Sequence, residues 1–168
     1  MLKIKKNQTI HFVRKKRDDP AFQRFYTKIA YLILQFISNG KIISNIVLSQ
    51  EIHHQYGGVV PELASREHDS QIHYIVNKAL EEGESTLNDL HSIAVTYGAG
   101  LLGSLLVGLN YAKGLAIGLK IPFMGVNHLE GHLYASIISY PDLQYPYICL
   151  LVTGGHTQIW EVKNAGDY

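Results

Sequence analysis

From Gly40 to Val162, short apolar or β-branched runs alternate with longer segments of helical periodicity. No other feature constrains the chain as much, because strands joined through helices pair at least partly in parallel within a layered α/β domain. Lys41 to Gln50 is rich in β-branched residues and follows Asn39-Gly40, a hairpin-turn dipeptide, so it reads as the second strand of a hairpin. Ile72, Ile75, Val76, Ala79 and Leu80 recur at helical spacing before Gly83, which predicts a helix from about Ser65 to Glu82 with Ser65 as its cap. Ser92 to Tyr97 reads as a short buried strand. Leu101 to Leu119 reads as a long apolar helix, with Gly103, Gly108, Gly114 and Gly118 allowing close packing against a sheet. A strand over 122–127 and a helix over 129–138 follow. Tyr147 to Val152 and Thr157 to Val162 then form a hairpin closed by Gly154-Gly155.

With 168 residues, 46% hydrophobic and 17% charged, the chain is globular rather than disordered. Its longest apolar run, Ile29 to Ile37, is broken by Gln35 and is too short to span a bilayer, so no membrane association is expected and the cytoplasm is the expected location. The single cysteine, Cys149, gives no disulfide framework and reads as a buried core thiol. Ten Lys and Arg residues fall within 1–41 against only Asp18 and Asp19, while the remainder is net acidic. Such a split can mark a nucleic-acid arm. Here the basic residues are not interleaved with aromatics and share no helical face, so a solvated leader is the preferred reading.

Four motifs carry chemistry. In Val126-Asn127-His128-Leu129-Glu130-Gly131-His132, two histidines four apart lie one above the other on a helix, which lets both imidazoles reach one ion. The same spacing also arises by chance, and a closed site needs a third ligand. Glu130 lies roughly 200° around the helix from His128, unlike the glutamate of the zinc-peptidase motif, which directly follows the first histidine. In Leu150-Leu151-Val152-Thr153-Gly154-Gly155-His156-Thr157, a diglycine turn after an apolar strand leaves backbone N–H groups open to an anion such as phosphate. Gly98-Ala99-Gly100-Leu101-Leu102-Gly103 matches the dinucleotide fingerprint, yet no Asp or Glu occurs between Asp89 and Glu130 to hold a ribose. A tight strand-to-helix turn lining a cleft is the better reading. In Tyr56 to Arg66, Glu62 and Arg66 either face a substrate or form an ordinary helix-start ion pair. The other histidines (His53, His54, His68, His73 and His91) read as surface or core residues.

Together these blocks resemble the tRNA N6-adenosine threonylcarbamoyltransferase family, the TsaD or glycoprotease-like family. The matching stretches are Asn39 to Asn45, Tyr56 to Arg66, Ala94 to Ala116, Asn127 to His132 and Leu150 to Gln158. The resemblance implies an α/β fold of the actin-like/Hsp70 ATPase type. In that fold, 39–146 would be the N-terminal lobe and 147–168 the start of a second, truncated lobe, with 1–38 an atypical basic leader. It implies an acyltransferase of tRNA processing, moving the threonylcarbamoyl group from threonylcarbamoyl-AMP to N6 of the adenosine 3′ of the anticodon in tRNAs reading codons that start with A.

By the same resemblance His128 and His132 would hold iron or zinc. Leu151, Val152, Thr153, Gly154 and Gly155 would hold the adenylate, with Thr153 where serine is usual, and His156, Thr157, Glu130, Glu62 and Arg66 are further candidates. The implied partners are tRNA and other subunits of the transfer complex, including a shorter paralogue. The family's usual Glu-Ser-Ser-Cys-Asp-Glu-Thr loop does not occur before Asn39, Ala99 replaces a usual proline, and the aspartate that serves as third metal ligand is absent. Weak metal retention is therefore expected. Two rival readings are a non-catalytic partner of the same complex and a metal-dependent glycoprotein endopeptidase, the latter opposed by the position of Glu130.

Overall fold

The computed structural model describes residues 9–11, 30–38, 41–140, 142–152 and 157–168. They form a mixed α/β structure in two compact units, 1–127 and 128–168. The helix 128–139 and the hairpin after it fall together in the second unit.

In the first unit, β1 (Thr9–His11), β2 (Ala30–Ser38) and β3 (Lys41–Gln50) form an antiparallel sheet in that order. The expected limits of β3 hold, and its hairpin partner is β2, with Ser38 opposite Lys41 and Ala30 opposite Gln50. β2, Ala30 to Ser38, thus lies opposite the β-branched run of β3, with β1 on its other side.

Helix α1 (Pro61–Glu82) begins four residues before the expected Ser65. Pro61 suits the first helical position, since its missing N–H would have no intrahelical acceptor there, and the Ala64 N–H already bonds to Val60 O at 3.0 Å. Ser65 does not cap the helix; its hydroxyl donates back to Pro61 O at 2.7 Å. Gly83 follows the last residue as expected, but the left-handed residue beyond the end is Glu84 (φ 48).

The buried residues of α1 (Ile72, Ile75, Val76, Ala79, Leu80) join Ile46 of β3 and Leu90 in one core. The Ser44 hydroxyl pins β3 to the helix by donating to Ala79 O at 2.7 Å.

Next come β4 (Ile93–Gly98), α2 (Leu102–Leu119) and β5 (Phe123–Asn127). β4 and β5 pair in parallel, Val95 opposite Gly125, so α2 is a crossover helix. Its buried stripe is Gly108, Ala112 and Ala116, one turn apart, and the two alanines pack with Ile93 and Val95. Gly114 and Gly118 are exposed with nothing near them, which corrects the expectation that all four glycines serve the sheet.

Gly103 faces α1 instead. A Cβ built there would lie 2.4 Å from Ser65 Oγ. His73 of α1 meets Tyr111 of α2 at the same sequence offset, so the two helices run side by side in the same direction. At 18 residues and mean hydropathy 1.3, α2 is long and apolar enough by composition to cross a membrane. In this fold its small-residue stripe faces a sheet.

The second unit holds α3 (His128–Ser139), β6 (Tyr147–Val152) and β7 (Thr157–Val162). The strands pair antiparallel from Tyr147 opposite Val162 to Val152 opposite Thr157, the expected hairpin. Leu133, Leu151 and Val162 are its buried apolar side chains. Cys149, expected to be buried, is half-buried.

Candidate functional site

Helix α3 starts directly after the strand residue Asn127, so His128 occupies its first turn and His132 the next. The helical rise brings the two rings edge to face, with centroids 4.6 Å apart and an interplanar angle of 68°. Their Nε2 atoms face each other at 3.2 Å. Two imidazoles on one ion at about 2.0–2.1 Å each would have nitrogens about 2.9 Å apart at a right angle and about 3.3 Å apart at the tetrahedral angle. The observed separation falls between these values, so the spacing of the two nitrogens suits a shared divalent ion. Among the described residues, no group of three or more His, Cys, Asp or Glu side chains gathers around an ion site.

Glu130 does not join the histidines. Its carboxylate accepts a hydrogen bond from the Tyr168 hydroxyl, and the Tyr168 ring packs edge-on against Trp160 at 5.6 Å. This agrees with the opposite helical azimuth read from the sequence and gives Glu130 a role inside the second unit. Tyr168 was not legible as its partner, because 38 residues separate them and no local pattern links them. Nearby, the Tyr147 hydroxyl donates to Leu133 O at 3.4 Å, tying β6 to α3. Burial, with Tyr145, Cys149 and Tyr134 close by, pushes the Tyr147 phenol above its ordinary value.

Of the expected donor-binding residues, Leu151 and Val152 end β6 and Thr157 begins β7. The Leu151 side chain points into the small core, while Val152 and Thr157 are exposed. Thr153, Gly154, Gly155 and His156 lie outside the described residues.

Glu62 and Arg66 form an ion pair at the start of α1. Arg66 Nη2 donates to Glu62 Oε1 at 2.7 Å, four residues apart on the first turns of α1, with side chains 76% and 73% exposed. In the fingerprint-like segment, Gly103 serves the contact between α1 and α2.

The other histidines fall into two classes. His53 and His68 are buried, and both hydrogen-bond to the equally buried Gln50. His73 is exposed between Tyr111 and Asn77.

Set against known proteins, residues 41–168 match the profile of the TsaD family, tRNA N6-adenosine threonylcarbamoyltransferase. Among curated relatives, the tRNA N6-adenosine threonylcarbamoyltransferase of Clostridium novyi (strain NT) is 52% identical over 134 residues, 79% of this chain and 39% of that protein. That of Clostridioides difficile (strain 630) is 53% identical over 134 residues, 79% of this chain and 40% of that protein. The chain thus spans about two fifths of the length of the curated relatives it matches. A looser structural likeness, TM-score 0.49 at 14% identity over 77% of this chain and 58% of the other, is to YeaZ from Pseudomonas aeruginosa.

Proposed function

This chain belongs to the tRNA N6-adenosine threonylcarbamoyltransferase family, and from that premise we propose that it carries the ion-holding and donor-holding part of a threonylcarbamoyl transferase. The reaction moves the threonylcarbamoyl group from threonylcarbamoyl-AMP to N6 of the adenosine 3′ of the anticodon in tRNAs reading codons that start with A. A C–N bond forms at the carbamoyl carbon, the mixed-anhydride C–O bond breaks, AMP departs and N6 gives up a proton.

His128 and His132 would hold the ion through their facing Nε2 atoms. A bound divalent ion, iron or zinc, supplies Lewis-acid polarisation of the donor carbonyl. Leu151 and Val152 deliver the chain into Thr153, Gly154 and Gly155, whose backbone N–H groups would bind the donor's phosphate, with His156 and Thr157 as further contacts. The proposal includes an actin-like/Hsp70-type lobe, a cytoplasmic location, and tRNA and the other transfer-complex subunits, a shorter paralogue among them, as partners. Glu62, Arg66 and Glu130 remain additional candidates for substrate contact.

What carries this reading is the 3.2 Å Nε2 separation in a chain of this family. Titrating Zn²⁺, and Fe²⁺ without oxygen, into the purified chain by calorimetry tests it. Weak binding that a chelator reverses is expected, abolished in His128→Ala and in His132→Ala. Heat of binding unchanged in both variants would remove the ion site. A stoichiometric ion that resists chelators would overturn the expectation of weak retention.

A further inference from the structure

The segment from Glu51 to Val60, a 3-10 turn ending in the Gly57 bend (φ 72), joins β3 to α1. Neither end of it has a side-chain helix cap. Beneath it lies a polar cluster shut off from solvent, with Gln50 2%, His53 0% and His68 7% exposed.

The Val60 N–H donates to His53 Nδ1 at 3.3 Å. That bond sets the His53 tautomer. With Nδ1 accepting, the neutral His53 ring carries its proton on Nε2, which lies 3.1 Å from Gln50 Oε1. Gln50 therefore presents its oxygen to His53, and its Nε2 donates to Ala64 O at 3.2 Å. His68 Nδ1 lies 2.7 Å from Gln50 Nε2 and 2.6 Å from Ala64 O; it accepts from the first or donates to the second, not both.

We infer that His53, fixed as the Nε2–H tautomer, is a latch that closes residues 56–60 as a strap against the start of α1. A side chain from the turn thereby satisfies the amide of Val60, the residue that precedes the first helical turn. The strap opens as a unit separate from the core around Ile75 and Val76. Exposed Tyr56 sits on this strap, so its presentation depends on His53 being closed.

Two measurements test the latch on the full 168-residue chain. Long-range 1H–15N spectra of the unmodified protein should show His53 as the Nε2–H tautomer; the Nδ1–H tautomer would overturn the inference, and no variant is needed to see it. Amide hydrogen exchange then compares His53→Asn, whose Oδ1 can stand in for Nδ1, with His53→Gln, which keeps only the donor toward Gln50. The Val60 amide should keep its protection in the asparagine variant and lose about tenfold in the glutamine variant, with Ile75 and Val76 unmoved in both. Equal protection of Val60 in the two variants, or loss that spreads equally to Ile75 and Val76, would reduce His53 to an ordinary core residue.

Discussion

Two pairs of histidines occupy this chain under opposite conditions. His53 and His68 are buried in the first unit, and their ring nitrogens are engaged by Gln50, the Val60 amide and Ala64 O. His128 and His132 stand on α3 of the second unit, His128 exposed and His132 half-buried, with their Nε2 atoms turned toward each other. Burial forces an imidazole to spend its nitrogens on the fold. On α3 the two Nε2 atoms instead meet each other at 3.2 Å. Spacing alone does not separate these fates; the burial of the element that carries each ring does.

The sharpest way to break this contrast is to delete one ring from each pair. His53→Ala leaves a buried amide N–H and Gln50 Oε1 unpaired and should cost about 2–5 kcal/mol in denaturant unfolding, whereas His128→Ala should cost no more than about 0.5 kcal/mol. Equal losses would dissolve the distinction. The reverse holds for Zn²⁺, where His132→Ala should weaken binding by about tenfold or more. Gly103→Ala tests whether the packing beside these sites is as close as the geometry says. Its Cβ would meet Ser65 Oγ at 2.4 Å and Ser65 Cβ at 3.1 Å, a clash of about 1–3 kcal/mol that Ser65→Gly should relieve in a double-mutant cycle.

Surface features should matter least. Breaking the exposed Glu62–Arg66 pair with Glu62→Ala should change stability by about 0.5 kcal/mol or less. The backbone N–H and then the hydroxyl of Thr86, both 2.8 Å from Asp89 Oδ2, hold that carboxyl below its ordinary value, with His91 adding to the effect. A lowered carboxyl stabilises the fold above its unfolded-state value and stops doing so as pH falls through the folded one. Asp89→Asn should therefore flatten a slight loss of melting temperature on the acid side.

Much of the fold was legible because period and punctuation agreed. β3 ran from Lys41 to Gln50 as expected, α2 differed from expectation by one residue at its start, and the β6–β7 hairpin appeared at its expected limits. α1 was read four residues short, because its apolar periodicity starts late while Pro61 sets the first turn by backbone chemistry. The leader yielded β2 only once its partner strand was in place, since strand pairing is non-local. At the site, the facing of His128 and His132 followed from helical geometry. The capture of Glu130 by Tyr168 and the clustering of Gln50 with His53 and His68 did not, because both depend on how distant segments fold together.

Helix α2 contributes to two cores at once. Leu115 and Ile121 pack against both the α1 cluster and the cluster around Ile93 and Val95. The helix cannot lean toward one neighbour without opening a void beside the other, so neither layer can melt by itself. Apart from the strap over 56–60, residues 41–127 should lose structure in one cooperative step, with probes on β3 and on β5 reporting the same midpoint.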